Sequence, residues 1–164
     1  MTDFKKVEMS VIGTISTPHK TLSNIPIQSV GAEEFIGIIE LEPHLTDALD
    51  GLEGFSNLIL LYHLHLSKGY KTRVTPFMDD KEHGLFATRS PKRPSPIGMS
   101  TVELLKIEGN KIWFKGADML DGTPLIDIKP FFRQVDNRPN AVSGWLDAKD
   151  DDLPTKHRSD DRFV

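Results

Sequence analysis

Met99-Ser100-Thr101-Val102-Glu103-Leu104-Leu105-Lys106-Ile107 and Lys111-Ile112-Trp113-Phe114-Lys115-Gly116-Ala117-Asp118-Met119 are joined by Glu108-Gly109-Asn110. Two strands flanking a Gly-Asn turn read as a β-hairpin. Working outward, Asp118-Met119-Leu120-Asp121-Gly122-Thr123-Pro124-Leu125-Ile126-Asp127-Ile128-Lys129-Pro130-Phe131 sets three acids and one lysine among apolar residues. Asp121-Gly122 followed by Thr123-Pro124 signals another tight turn between strands, in which Asp121 can close the turn through its side chain. On the other flank stands Phe86-Ala87-Thr88-Arg89-Ser90-Pro91-Lys92-Arg93-Pro94-Ser95-Pro96-Ile97-Gly98-Met99-Ser100. It opens as a strand, with Leu85, Ala87 and Arg89 on one face and Phe86, Thr88 and Ser90 on the other. The prolines at 91, 94 and 96 then forbid a helix, because each lacks an N–H and biases its predecessor towards an extended backbone. A stiff loop carrying Arg89, Lys92 and Arg93 is expected. It loses little entropy on meeting a ligand, and guanidinium forks suit carboxylates and phosphates.

The remaining segments extend the β pattern. Glu8 to Thr17 reads as a strand, Ser23 to Gly31 as an ordered connection, and Phe35 to Leu41 as a second strand. Pro43 then suits a first helical turn, with Leu45, Ala48, Leu49 and Leu52 as one apolar stripe and Gly51 and Gly54 as terminators. Asn57 to Ser67 is the most apolar strand. Leu58, Leu60, Tyr62, Leu64 and Leu66 share one face; Ile59, Leu61, His63 and His65 share the other. Two histidines on one face are half of a metal site, but no third ligand stands at a suggestive spacing, so no metal is expected. Tyr70 to Pro76 reads as a further strand, and Asp79 to Gly84 as a polar link.

Seven or eight short strands with one helix indicate a mainly β (β-rich α+β) domain. The expected architecture is a single barrel-like antiparallel sheet with one short covering helix. No glycine-rich turn separates a strand from a helix, which argues against a Rossmann nucleotide fold. At 164 residues the chain has the size of one domain. Residues 1–146 are expected to form it, with 147–164 as a polar C-terminal tail. There is no cysteine, so disulfides, thiolate metal sites and a cysteine nucleophile are excluded. No signal-peptide run or membrane-length apolar window occurs, and a cytoplasmic location is expected. The net charge of −4 argues against non-specific nucleic-acid binding. Residues 65–95, however, hold seven Lys/Arg against three Asp/Glu, a local basic surface able to orient one particular RNA.

Together, the Phe86–Ser100 and Asp118–Pro130 motifs and the earlier run from Leu52 to Tyr70 resemble the TsaA-like (TrmO) family over about Ser10 to Phe132. Members of that family are S-adenosylmethionine-dependent methyltransferases acting on N6-threonylcarbamoyladenosine beside the anticodon of tRNA. The resemblance implies a β-barrel enzyme working as a homodimer, with the cofactor near the subunit interface. It implies cofactor contacts at Gln28, Ser29, His65, Arg89, Met99, Met119, Leu120 and Asp121. Departures from the family pattern occur at Gln28 to Gly31, where many relatives carry Pro-Gly, at Leu66, often polar, and at Ser95, often Asn. Many relatives also carry an extra C-terminal domain that this sequence lacks.

Methyl transfer from a sulfonium is an in-line displacement, in which the protein supplies orientation and proton handling. His65 has a suitable intrinsic pKa to take the proton of the substrate nitrogen, with Asp121 as the alternative. Arg89 can hold the carboxylate of the cofactor or of the substrate threonine. Lys92, Arg93 and Lys129 are the candidates for contact with the tRNA anticodon loop. Two rival expectations are a methyltransferase for a small molecule and a non-catalytic adenosylmethionine binder that regulates a partner.

Overall fold

The computed structural model describes residues 3–163. Its centre is a closed antiparallel barrel built from β1 (Gly13–Ser16), β2 (Ile36–Leu41), β3 (Asn57–His63), β6 (Ile97–Glu108), β7 (Lys111–Lys115) and β8 (Thr123–Pro130). A separate two-stranded ribbon pairs β4 (Arg73–Val74) with β5 (His83–Gly84). Around the barrel the order is β1-β2-β7-β6-β3-β8, each strand antiparallel to both neighbours. Closure removes exposed sheet edges. Inward positions follow the two-residue period of a strand: Leu58, Leu60 and Tyr62 on β3, Ile112 and Phe114 on β7, with Ile15, Ile39, Val102 and Leu125 from the other strands. These side chains fill the barrel, as expected for a small one.

Two glycines make room for rings. The Phe114 ring lies over Gly37 and the Tyr62 ring over Gly98, so a Cβ at either position would collide with the ring. Tyr62 and Gly98 are register partners, and this contact fixes the Tyr62 phenol near the end of the barrel. Bulges interrupt the ladder between Leu61 and Tyr62 and between Leu104 and Lys106; such insertions bend a strand and increase its twist.

Several expected elements are shorter or different. The first strand pairs only over Gly13–Ser16, leaving Met9 and Val11 exposed. The covering helix is a 3-10 turn over Pro43–Leu49 followed by a second over Leu52–Gly54, separated by Gly51 at φ 82°. With three residues per turn the stripe narrows: Leu49 is buried and Leu45 and Leu52 half-buried, but Ala48 faces solvent. β3 stops at His63, and Leu64 to Ser67 form a turn closed by the Ser67 N–H on the Leu64 carbonyl at 2.9 Å. His65 is therefore not a strand residue. From Tyr70 to Pro76 only Arg73 and Val74 are strand. β7 ends at Lys115, where Gly116 takes φ 97° and both the Gly116 and Ala117 N–H groups turn to the Phe35 carbonyl.

The expected strand over Leu85 to Ser90 is a 3-10 turn at Leu85–Ala87 leading into a loop. Its carbonyls are taken by side chains instead of a ladder. Arg93 donates to the Thr88 and Ser90 carbonyls at 2.8 and 3.2 Å, and the Trp145 indole N–H donates to the Ala87 carbonyl at 2.7 Å.

The polar segment after 146 folds back. α1 (Arg133–Asp136) and a 3-10 turn at Gly144–Ala148 lead into it, and it contains the four-residue helix α2 (Leu153–Lys156). Ser159 exchanges backbone bonds with Asn24 and Ile25, and its hydroxyl donates to the Leu22 carbonyl at 2.7 Å. The Phe163 ring meets the Phe77 ring edge-on, centroids 5.0 Å apart. Among the described residues no helix is long and apolar enough to cross a membrane.

Candidate active site

A cleft of about 840 Å³ opens beside the barrel end where β3 stops and β6 begins. Four walls surround it. The first is the 25–30 connection; the second is the loop from Phe86 to Arg93. The third is the turn of Asp118 to Leu120 after β7, and the fourth is the folded-back tail, through Trp145, Leu146 and Phe163. The floor is polar, since Tyr62 reaches it from β3 and Asp118 from the turn after β7.

Most of the residues expected at a site converge here. Gln28, Ser29, His65, Arg89, Met99, Met119 and Leu120 all line the cleft. The Arg89 guanidinium donates to Gln28 Oε1 at 2.6 Å, which joins the loop wall to the connection wall. Arg89 is exposed on the cleft, not held by a buried stem. The Ser29 hydroxyl donates to the Thr101 carbonyl at 2.6 Å and ties the connection to β6. Met119 is buried and Leu120 half-buried, while Met99 keeps half its surface exposed. His65 is half-buried in the turn after β3.

Other candidates lie apart. Asp121 is outside the cleft lining: it accepts the Thr17 N–H at 2.9 Å and pairs with Lys20 at 2.7 Å. The Lys20 ammonium, helped by that N–H, holds its carboxyl below the usual range. Arg93 lines the cleft but its guanidinium braces the loop backbone. Lys92 belongs to the same loop without lining the cleft. Lys129 pairs with Asp127 at 2.8 Å on β8, also outside the lining. Among the described residues no cluster of three or more His, Cys, Asp or Glu side chains could hold a metal ion.

The structure adds groups that the sequence reading did not select. Tyr62 OH lies 2.8 Å from Ser100 Oγ, and the Ser100 hydroxyl donates to Asp118 Oδ1 at 2.6 Å. With the Ser100 proton on Asp118, the phenol is the donor in the first of these bonds. Burial pushes the Asp118 carboxyl up to about 7, partly opposed by the Ser100 bond and the Arg89 charge. Asp118 is half-buried by surface yet enclosed by protein on its inner side, and this depth raises its pKa. Burial, with the Asp118 charge second, also raises the Tyr62 phenol. Ser90 Oγ is buried in the cleft wall with no hydrogen-bond partner. A signal for part of this was available, because Ser100 stands in an inward row with Gly98 and Val102.

A closed barrel whose cleft joins a guanidinium, apolar walls and an acid–hydroxyl relay defines a barrel-type protein whose cleft has the size and polarity for a small charged ligand. More specifically, the chain belongs to the tRNA-methyltransferase O N-terminal domain family, whose model matches residues 14–137. It is 43% identical over 152 residues to a probable S-adenosyl-L-methionine-binding protein of Pyrococcus abyssi, covering 93% of this chain and 82% of the relative. A mouse tRNA (adenine(37)-N6)-methyltransferase is 41% identical over 96 residues, 57% of this chain and 22% of the mouse protein. The crystal structure of TrmO from Pseudomonas aeruginosa superposes with a TM-score of 0.73 at 34% identity, covering 86% of this chain. This chain spans 63% of that one.

Proposed function

We propose that this protein is an S-adenosylmethionine-dependent methyltransferase that methylates N6 of N6-threonylcarbamoyladenosine next to the anticodon of tRNA. The observation that carries the reading is the convergence of Arg89, the unpartnered buried Ser90 hydroxyl and the apolar Met99, Met119 and Leu120 in one cleft. This donor set fits the cofactor. A guanidinium and a hydroxyl match an amino-acid carboxylate, and thioether and leucine side chains match the faces of an adenine. The orphaned hydroxyl is itself a sign of a missing partner, since buried polar groups are almost always hydrogen-bonded.

When bound, the cofactor supplies an electrophilic methyl group on a sulfonium. Gln28 orients the Arg89 fork through their shared bond, and Ser29 anchors the connection wall to β6. His65 contributes to the cofactor wall from its turn. Trp145 and Leu146, just before the tail, line the cleft and help exclude water. Asp121 acts through the 17–20 loop that it holds by Thr17 and Lys20. Lys92, Arg93 and Lys129 are the residues for tRNA phosphates, with Arg93 also bracing its loop. Ile97, Met99 and Leu105 are exposed along the outer row of β6, which supports a homodimer that covers this row next to the cleft. Light scattering giving twice the monomer mass, reduced to monomer by Leu105→Glu, is the expected outcome.

The deciding assay supplies methyl-labelled cofactor and bulk tRNA lacking the modification's methyl group. Label in the modified adenosine is expected. Label in a small metabolite instead would identify a small-molecule methyltransferase. Cofactor binding with no transfer would identify a binding protein, as the Pyrococcus relative is named.

A further inference from the structure

We propose that Asp118, wired through Ser100 to Tyr62 at the floor of the cleft, accepts the proton that the substrate nitrogen loses during methyl transfer. This assignment rests on the functional reading above. It begins from the direction of the hydrogen bonds. Ser100 donates to Asp118 Oδ1, which leaves Tyr62 to donate to Ser100, so one hydroxyl brings its positive end to the carboxylate and the phenol backs that hydroxyl. The relay does not engage Oδ2, the carboxylate oxygen that this assignment gives the proton.

The position of each member is built into the barrel. Ser100 and Gly98 are consecutive inward residues of β6, facing Leu60 and Tyr62 of β3 in register. The missing Cβ at Gly98 lets the Tyr62 ring lie flat against the strand. Gly116, at φ 97°, ends β7 and turns the chain so that Asp118 meets Ser100. Tyr62 and Ser100 are therefore held by strands, and Asp118 by the turn that starts at Gly116 and by its bond to Ser100, which suits a group that must meet a reacting atom within hydrogen-bond distance.

The charges around Asp118 decide whether it can act as a base. Enclosure by protein opposes ionisation most, while the Ser100 hydroxyl, the backbone N–H of Asp118 and, least, Arg89 from the loop wall favour the anion. Tyr62 from β3 stays neutral and cannot compete for the proton. The balance leaves the carboxyl changing state near neutral pH, where a general base is most effective. Asp121 offers the opposite balance, since Lys20 and the Thr17 N–H stabilise its anion and make it a weak base.

The step balances. The nitrogen forms a bond to the methyl carbon as the carbon–sulfur bond breaks and its electron pair stays on sulfur, turning sulfonium into thioether. The N–H pair remains on nitrogen as its new lone pair, and the proton becomes the acid proton of Asp118. Release to water through the open cleft returns the carboxylate for the next turnover.

The test compares the full-length wild type with Asp118→Asn and Ser100→Ala. Carboxyl-carbon NMR titration of the free protein should show one aspartate changing state near neutrality, absent in Asp118→Asn. Single-turnover transfer to tRNA by the wild type should rise with pH and level off above the same midpoint. Asp118→Asn should slow transfer on the order of 100-fold or more and flatten that limb, with adenosylmethionine affinity changed less than about threefold. Ser100→Ala removes a bond that favours the anion, so both the NMR midpoint and the rate limb should move to higher pH. An Asp118→Asn variant that transfers at the wild-type rate with the wild-type pH limb overturns this assignment alone. A wild type that binds the cofactor but transfers no methyl to tRNA overturns the functional reading, and this assignment with it.

Discussion

Arg89 and Asp118 show how single side chains in this cleft trade stability for binding. Arg89 is exposed and already donates to Gln28, so the role proposed for it in ligand binding is a charge-assisted contact made at partial desolvation. Arg89→Ala is expected to weaken adenosylmethionine binding by about 2 kcal/mol, the lower end for a hydrogen-bonded charge pair. Arg89→Lys should recover little, because an ammonium lacks the planar fork; isothermal titration of both variants checks this. Asp118 makes the opposite trade. Its folded pKa of about 7 lies above that of an unfolded aspartate, so between about pH 4 and 7 the folded state holds the extra proton. Stability therefore falls as pH rises through that window and stays lower above it. Asp118→Asn should gain about 1–3 kcal/mol at pH values near 8 and almost nothing below about 4, read from urea unfolding. A stabilising substitution that removes activity is the signature of a group kept for chemistry. Neither role was fully legible in the sequence. Alternation identifies Tyr62 and Ser100 as inward-facing, but period alone does not say that the barrel ends in a cleft beside them.

At the scale of elements, the tail is where sequence patterning is least informative. Residues 147–164 carry few apolar side chains and no period, yet residues 147–163 fold back through bonds to segments far away in the chain. Asp79 is the hub. It accepts from Lys149 at 2.7 Å and pairs with His83 at 2.6 Å, and the His83 ring stacks on Trp145 with centroids 4.8 Å apart. Lys149 first, then His83, holds the Asp79 carboxyl well below the usual range, and Asp79 in turn raises Lys149. For a depressed carboxylate the stabilisation is present above the ordinary aspartate pKa and is lost as pH falls below it. The tail should thus loosen in acid before the barrel unfolds. Asp79→Asn should produce the same loosening at neutral pH, seen as faster amide exchange over residues 144–163 while the barrel strands stay protected. Uniform exchange in that variant would mean that the tail is held by its apolar contacts alone, such as Phe163 on Phe77. The expected strand at Leu85 to Ser90 failed for a related reason: Arg93 and Trp145 occupy carbonyls that a ladder would need.

Across the whole molecule, the barrel was legible because its strands are local, alternating and separated by glycine turns at Gly109 and Gly122, both at positive φ. The closure order was not, since β1 meeting β8 and β3 meeting β6 are pairings between distant segments that no local pattern encodes. Charge is likewise a property of the whole. A protein of net charge −4 repels RNA at long range, so the proposed tRNA contact depends on few cations near the cleft. Arg93 is a poor reporter of that contact, because its loss would also release the Thr88 and Ser90 carbonyls and alter the loop. Lys92, on the same loop but outside the cleft lining, is the residue to test. Lys92→Ala should weaken tRNA binding similarly for all sequences and reduce the slope of log affinity against log salt by about one, as for one lost phosphate contact. Lys129→Ala should do the same only if the RNA reaches β8, since its ammonium is paired with Asp127. Binding isotherms across a salt series, with adenosylmethionine affinity as the control, separate these cases. A salt slope unchanged in both variants would remove RNA from this basic face and favour a small-molecule acceptor.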